Sequence, residues 1–507
     1  MYADLREFMD ALKEKDLLVE YKDPVHWNLE AGALCAMSNR VGGPALHFKD
    51  VKGYPDTSMV GSLFSGPNNL VMKRQKTWSR MAVAMDLDPR IPYEDFMEEL
   101  ITRSENTITP MEVTTGSCKE VVQEGEDVDI FSLPIPFLHK SDGGRYGTMS
   151  SIVVKDPETG WQNWGVYRWM AYSPDELRVH FGKWDLQGKG KHISQIFAKY
   201  EKEGKPMPGC IVMGGDPTII IAAAMNADRG VDEAEIASGL SLNPIQLVKA
   251  EKSDLMVPAD AEIVIEGEFL PGVRSDEGPF PEYTKLSAKK GQPVFKIKAI
   301  THRKKPVVPF SVEGSQVSDS MVLLSMTHSA ELFKKSKESF FHTRWMNLPV
   351  ESKLGLLIVS TKVPFSGYIG RFAAHLFSLT PYKWFDRILF VDTDVEPIDL
   401  GRCFNDMLQK VHPLKDINAG MGGAPRNIVC AYPTPDGTTN RLSIDATWPA
   451  GTPKESLPVR TSFETSFTPE IQKKVVEMWN KELGFETLPV LERETAEKLG
   501  IPREILF

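Results

Sequence analysis

Two carboxylates, Glu277 and Glu282, stand five positions apart in "SDEGPFPEYTKL" (residues 275–286), with Pro279 and Pro281 between them. Proline lacks the amide hydrogen and blocks a helix, and in a plain extended strand an odd spacing sends the two acids to opposite faces. Only a bent loop turns both toward one point. Placed there, one carboxyl with its pKa raised by burial could donate a proton, while the second orients a cation such as an arginine. An exposed turn that carries acids for solubility is the alternative, and the segment alone leaves both open.

A cation of the right kind lies upstream. In "QNWGVYRWM" (162–170), Arg168 sits between Tyr167 and Trp169, and Asn163 precedes it by five residues. On one continuous strand Asn163 and Arg168 would face opposite ways unless Gly165 introduced a bulge. A solvent-facing arginine on an edge strand is the plainer reading. His192, in "GKHIS", leads into a helix, and Glu233, in "GVDEAEIASGL", reads as an acid favoured by the dipole at a helix start. Asparagine, histidine and glutamate together could hold a hard divalent ion through mixed nitrogen and oxygen ligands, but their long separations hide any such set from spacing alone.

Three regions must position these residues. The opening "LREFMDALKEKDLLVEY" reads as an amphipathic helix with Leu5, Phe8, Met9 and Leu12 on one face, followed by a strand. A second helix near residues 28–40 and a strand in "PALHFKDV" complete an N-terminal α+β domain, 1–118. From 119 to 315 the runs "SSIVVKD", "WGVYRWMAYS", "ELRVHF", "CIVMGG", "EIVIEGEFL" and "VFKIKAITHR" alternate with turn chemistry such as "DPETG" and "PGVRSDEGP". That pattern predicts a β-rich barrel or closed sheet, with "SQIFAKYEKEGK" as an inserted helix. From 316 to 507, helices and strands alternate through "MVLLSMTHSAELFKKSKE", "KLGLLIVST", "YIGRFAAHLFSL", "DRILFVDTD" and "LGRCFNDMLQKV", which predicts an α/β domain with a largely parallel sheet. Thr468 and Pro469 are good starting residues for a terminal helix, "EIQKKVVEMWNKEL".

Composition removes several classes. A chain of 507 residues exceeds one ordinary core, and its net charge of -10 argues against a nucleic-acid partner. The longest apolar stretch, "TIIIAAAM", is far too short to span a bilayer. Without a signal-peptide pattern at its start, the chain is expected in the cytoplasm. Cysteines 35, 118, 210, 403 and 430 are dispersed, as reduced thiols would be. Neither a GxSxG elbow, an HExxH pair, a P-loop nor a dinucleotide GxGxxG is present.

Several segments, taken in order, resemble the UbiD-like family of reversible decarboxylases: "NWGVYR", "KHI", "KPMPGCIVMGGDP", "DEAEIASGLSLNPIQLVKAEKSDLMVPADAEIVIEGEF" and "DEGPFPEYT". The likeness extends from "GGPALHFKDVKGYP" near the start to "FVDTDVEP" and "LSIDAT" in the last region. It implies an N-terminal α+β domain, a central split β-barrel that holds the flavin, and a C-terminal α/β domain used in oligomerisation as a homodimer or homohexamer. It also implies prenylated FMN, supplied by a separate flavin prenyltransferase, with a manganese-type divalent ion and a potassium ion at its phosphate.

By the same resemblance, Asn163, His192 and Glu233 are the metal ligands, and Val166, Tyr167, Arg168 and Lys191 lie along the flavin. Glu277, Arg168 and Glu282 match the family's Glu-Arg-Glu network, with Glu282 protonating the product. The implied reaction is reversible loss of carbon dioxide from an aromatic, heteroaromatic or α,β-unsaturated acid. Such a reaction needs an electron sink attached to the substrate, because the carbanion would lie orthogonal to the ring π system. Tyr283, next to the acid, and "SDSMVLLS" fall in regions that vary with substrate, and an aromatic residue there suits a flat ring. One departure is "GKWDLQGKG" between Arg168 and His192, longer than in compact relatives. An ordinary-FMN split-barrel oxidoreductase and a non-catalytic carboxylase subunit are the rival readings.

Overall fold

The computed structural model describes residues 2–70, 75–181, 191–283, 285–314, 317–379, 385–420, 424–425, 438–458, 461 and 463–478. Its first element is the expected helix, Leu5–Glu14, with Leu5, Phe8, Met9 and Leu12 buried and the Asp4 side chain accepting from the Arg6 and Glu7 amides. Those two bonds satisfy amides that a helix start leaves without partners. The chain divides into two compact units. One takes in the chain up to Gly66, Val83–Leu87 and Thr102–Thr327, and the other Pro67–Ala82, Asp88–Ile101 and the chain from His328 onward.

The first unit holds two principal sheets. In the smaller, the strands Leu18–Tyr21, Ala45–Phe48 and Ser58–Gly61 are joined by Val307–Phe310, which arrives from far along the chain and pairs parallel to Ser58–Gly61. In the larger, eight antiparallel strands run in the order Arg145–Gly147, Trp169–Ser173, Glu176–Val179, Lys290–His302, Ile263–Glu277, Met207–Met213, Ser151–Lys155, Gln162–Val166. A ninth strand, Val121–Glu124, also pairs with Lys290–His302. Closure of this sheet into a barrel is not seen, because its two end strands do not pair with each other among the described residues.

Two sequence expectations are corrected here. "PGVRSDE" is not a turn: it continues the strand Ile263–Glu277, and the register slips between Phe269 and Arg274, where Gly272 takes a φ of +70°. A bulge absorbs extra residues that read as turn chemistry in sequence. "WGVYRWMAYS" is not one strand either. Gln162–Val166 pairs in unbroken register with Ser151–Lys155, so Gly165 makes no bulge, and the chain passes through Tyr167 and Arg168 before Trp169–Ser173 begins. Gly165 instead leaves room for the Tyr167 ring, which a Cβ there would meet at 2.6 Å.

In the second unit, five strands run in the order Thr343–Asn347, Leu356–Thr361, Arg387–Val391, Leu442–Ala446, Ile417–Ala419. The central three pair parallel and both edge strands antiparallel, a mixed form of the expected α/β sheet. Helix Leu400–Lys410 packs Leu400 and Cys403 into a core with Ile358, Leu389, Val391 and Ala446. The terminal helix is described over Pro469–Met478, and the rest of its expected span lies outside the described residues. Cys35, Cys118, Cys210 and Cys403 are buried and form no disulfide, and Cys430 lies outside the described residues. No described helix is long and apolar enough to cross a membrane.

Aromatic packing anchors the large sheet beside its register slip. Phe269 is fully buried, with ring centroids 4.7 Å from Phe295 and 4.9 Å from Phe181. Deleting such a ring removes its burial and leaves a cavity. Phe269→Ala is expected to cost about 3–5 kcal/mol in denaturant unfolding, and a loss below about 1 kcal/mol would show that this cluster does not hold the sheet.

Candidate active site

Arg168 lies in the two-residue break between the strands Gln162–Val166 and Trp169–Ser173, and the next residue is pinned. Trp169 is fully buried, its ring lies against Gly147, and its indole N–H donates to Ser150 Oγ at 3.1 Å. A Cβ on Gly147 would fall 2.0 Å from that ring, so the close approach needs glycine. His180 follows the strand Glu176–Val179 and donates its backbone N–H to the Arg168 carbonyl at 3.0 Å. Glu277 is the last residue of the long strand.

After Glu277 the chain bends. Gly278 takes a φ of +95°, the Gly278–Pro279 peptide is cis, and Pro281–Glu282 pairs with Lys285–Leu286 in a short ribbon. Bonds from Gly143 N to Pro279 O (2.9 Å), Phe280 N to Ser287 Oγ (3.1 Å) and Ser287 N to Phe280 O (2.8 Å) fasten the loop. A Cβ on Gly143 would lie 2.2 Å from the Gly278 carbonyl, which is why the contact is made by a glycine.

Both acids thereby meet Arg168. Its Nε and Nη2 donate to Glu277 Oε1 and Oε2 at 2.9 and 3.1 Å, a two-pronged pair, and Nη1 donates to Glu282 Oε1. Phe280 closes the third side, its ring 4.9 Å from the guanidinium carbon and 4.4 Å from the Tyr146 ring. Glu277 also accepts from Tyr146 Oη at 2.9 Å, and His180 Nδ1 lies 3.1 Å from its Oε2. Burial pushes the Glu277 carboxyl up, but the His180 and Arg168 hydrogen bonds and charges outweigh it and hold it at about 2. The same two carboxylates keep Arg168 charged despite burial.

A second cluster forms on the strand that precedes Arg168 in the chain, Gln162–Val166. Glu233, the first residue of helix Glu233–Ser241, accepts from Asn163 Nδ2 at 2.8 Å and from the Trp164 amide at 3.0 Å. His192 opens the helix His192–Lys202, and the Trp161 ring stands edge-on to it at 5.1 Å while donating its N–H to Val231 O. Lys191 places its ammonium 4.6 Å from the centre of the Tyr167 ring. Val166 ends the strand, and Tyr283, partly buried, follows Glu282 with a φ of +50°. "GKWDLQGKG" lies outside the described residues.

Three domain models of one family match in order: the 3-octaprenyl-4-hydroxybenzoate carboxy-lyase N-terminal domain over residues 9–100, its Rift-related domain over 111–316, and its C-terminal domain over 321–446. The chain belongs to the UbiD family. It is a carboxy-lyase of that family. Phenolic acid decarboxylase of Streptomyces sp. (strain D7) is 29% identical over 476 residues, which span 90% of this chain and 96% of the relative. Pyrrole-2-carboxylic acid decarboxylase of Pseudomonas aeruginosa is 27% identical over 504 residues, 95% of this chain and 98% of the relative. Among solved structures, the UbiD-class enzyme HmfF of Pelotomaculum thermopropionicum in complex with FMN is similar at a TM-score of 0.80 and 26% identity, covering 92% of this chain and 99% of that one. An evolved dimeric form of HmfF in complex with prFMN gives 0.77 at 26% identity, with the same coverage.

The donors of the second cluster suit the divalent ion expected of a UbiD enzyme. Asn163 Oδ1 is buried without a hydrogen-bond partner. Burial pushes the Glu233 carboxyl up to about 8 against the bonds from Trp164 and Asn163, so a cation there would relieve a real cost. Among the described residues no group of three or more His, Cys, Asp or Glu side chains could hold a metal.

Tyr146, His180 and Phe280 belong to the first cluster and were not among the residues singled out from sequence. The only local signal was a histidine, His180, next to last in the otherwise strand-like "ELRVHF". Glu277 gives a pH test. Its carboxyl is lowered from 4.5 to about 2 in the fold, so its contribution is present above the unfolded value and is lost as pH falls through the folded one. At about 1.4 kcal/mol per unit this is on the order of 3 kcal/mol. Glu277→Gln should therefore be less stable at neutral pH and should show a weaker stability change between pH 5 and 2, read by chemical unfolding at each pH; a parallel pH curve would contradict the assignment.

Proposed function

We propose that this enzyme reversibly removes carbon dioxide from an aromatic or heteroaromatic carboxylic acid, with Arg168 receiving the substrate carboxylate and Glu282 protonating the carbon that loses it. The observation that carries this reading is the guanidinium of Arg168 held between two carboxylates in unlike settings. Glu277 is 1% exposed and engaged by Arg168, Tyr146 and His180, whereas Glu282 is 20% exposed and sits on the short returning ribbon. A carboxylate saturated with donors aligns Arg168; one at the open side can give a proton.

Prenylated FMN, when bound, would supply the electron sink that the carbanion needs. Asn163, His192 and Glu233 would hold the divalent ion at its phosphate, and Val166, Tyr167, Arg168 and Lys191 would line it. A flavin prenyltransferase is the implied supplier. Tyr167 and the Lys191 ammonium over its ring, together with the orphan Asn163 oxygen, support that placement. The phenolic and pyrrole-2-carboxylic acids named for two relatives favour a flat ring as substrate, and Phe280 and Tyr283 beside Glu282 suit one.

The test is co-expression with a flavin prenyltransferase, followed by a panel of phenolic, furan, pyrrole and cinnamate-type acids scored for carbon dioxide release and deuterium exchange. Glu282→Gln should keep the flavin spectrum and lose about 100-fold or more in turnover, the usual worth of a positioned acid. Normal decarboxylation by that variant, or silence of the loaded wild type across the panel, would overturn the proposal.

A further inference from the structure

Loss of carbon dioxide from a carboxylate consumes one proton in each turnover. The bond to the carboxyl carbon breaks, its electron pair stays on the substrate carbon, and the Glu282 proton becomes the new C–H. Glu282 is then an anion hydrogen-bonded to Arg168, and Arg168 cannot recharge it, because a guanidinium keeps its protons. A proton from water must reach Glu282 before the next cycle.

His180 is placed for that. Its Nε2 lies 3.8 Å from Glu282 Oε1, a gap that a small ring rotation or one bridging water closes, and its side chain is 25% exposed. At the other nitrogen, Nδ1 is 3.1 Å from Glu277 Oε2, which accepts, and 3.1 Å from Arg168 Nη2, which only donates. With a proton on Nδ1 the ring donates to Glu277; without one it accepts from Arg168. Either state therefore leaves Nδ1 a partner, so the ring can change protonation in place, while its backbone N–H stays on the Arg168 carbonyl. The charged and titratable groups around it are Arg168, Glu277 and Glu282, with Tyr146 reaching it through Glu277.

We propose that His180 is a positioning residue that relays protons from water to Glu282. The Nε2–H bond breaks as its proton passes to the Glu282 carboxylate, the electron pair stays on the ring nitrogen, and Nε2 takes a new proton from water. In the carboxylation direction the same path runs backward. The inference rests on the reading of Glu282 as the acid.

The experiment uses the cofactor-loaded enzyme and whichever acid it decarboxylates. The relay predicts that the wild-type kcat falls at basic pH, and His180→Asn should lower kcat by at least about tenfold with KM little changed, lose that pH dependence, and recover in part with added imidazole. An unchanged pH profile with no imidazole effect would overturn the relay, whatever the size of the rate loss. Glu282→Gln is run alongside: if it remains active, the acid reading fails, whereas an inactive Glu282→Gln beside an unaltered His180→Asn removes the relay alone. Should His180→Asn not fold, the wild type decides, since a kcat independent of pH between about 5 and 8 would exclude a titrating imidazole from the path.

Discussion

A guanidinium taken out of water is costly unless anions and good geometry replace its hydration, and removing one partner of such a pair usually costs about 3–5 kcal/mol. Arg168 imposes that constraint on this enzyme. Its charge requires Glu277 at the end of the longest strand and Glu282 on a loop that doubles back, with Phe280 packed over the remaining face. Gly143 and Gly147 are then needed for close approach, one to the loop and the other to Trp169. Each of these features makes local sense only as support for one buried cation.

The same network separates two chemically identical side chains. Glu277 is buried, takes bonds from three residues and is held as a carboxylate near pH 2. Glu282 shares the Arg168 fork but lies on the more open side, with the other nitrogen of His180 3.8 Å away. Two carboxyl groups on one guanidinium therefore sit in unlike surroundings. Stability and chemistry thus draw on one cluster, and a variant of either glutamate is expected to alter both.

Much of this architecture was legible in the sequence, for local reasons. Leu5, Phe8, Met9 and Leu12 recur at helical spacing and form the buried face of a helix. The two prolines after Glu277 required a bend, and a bend is present. What misled was chemistry shared by bulges and turns: "PGVRSDE" reads as a turn, but the neighbouring strand supplies pairing that keeps it extended around Gly272. Arg168 was read along a strand with Asn163, whereas the strand ends at Val166 and the two residues serve different clusters. Tyr146 and His180 stayed hidden because their partner, Glu277, is 131 and 97 residues away, and sheet order rather than local spacing brings them together.

Replacing Arg168 by lysine tests the central claim most directly, because it keeps the positive charge and removes the planar fork that spans Glu277 and Glu282. In the cofactor-loaded enzyme, kcat/KM for the substrate acid should fall by about 100-fold or more while flavin binding is retained, a loss of roughly 2.7 kcal/mol in transition-state stabilisation. If Arg168→Lys decarboxylated at the wild-type rate, charge alone would suffice, and the account of a guanidinium aligned between two unlike carboxylates would be wrong.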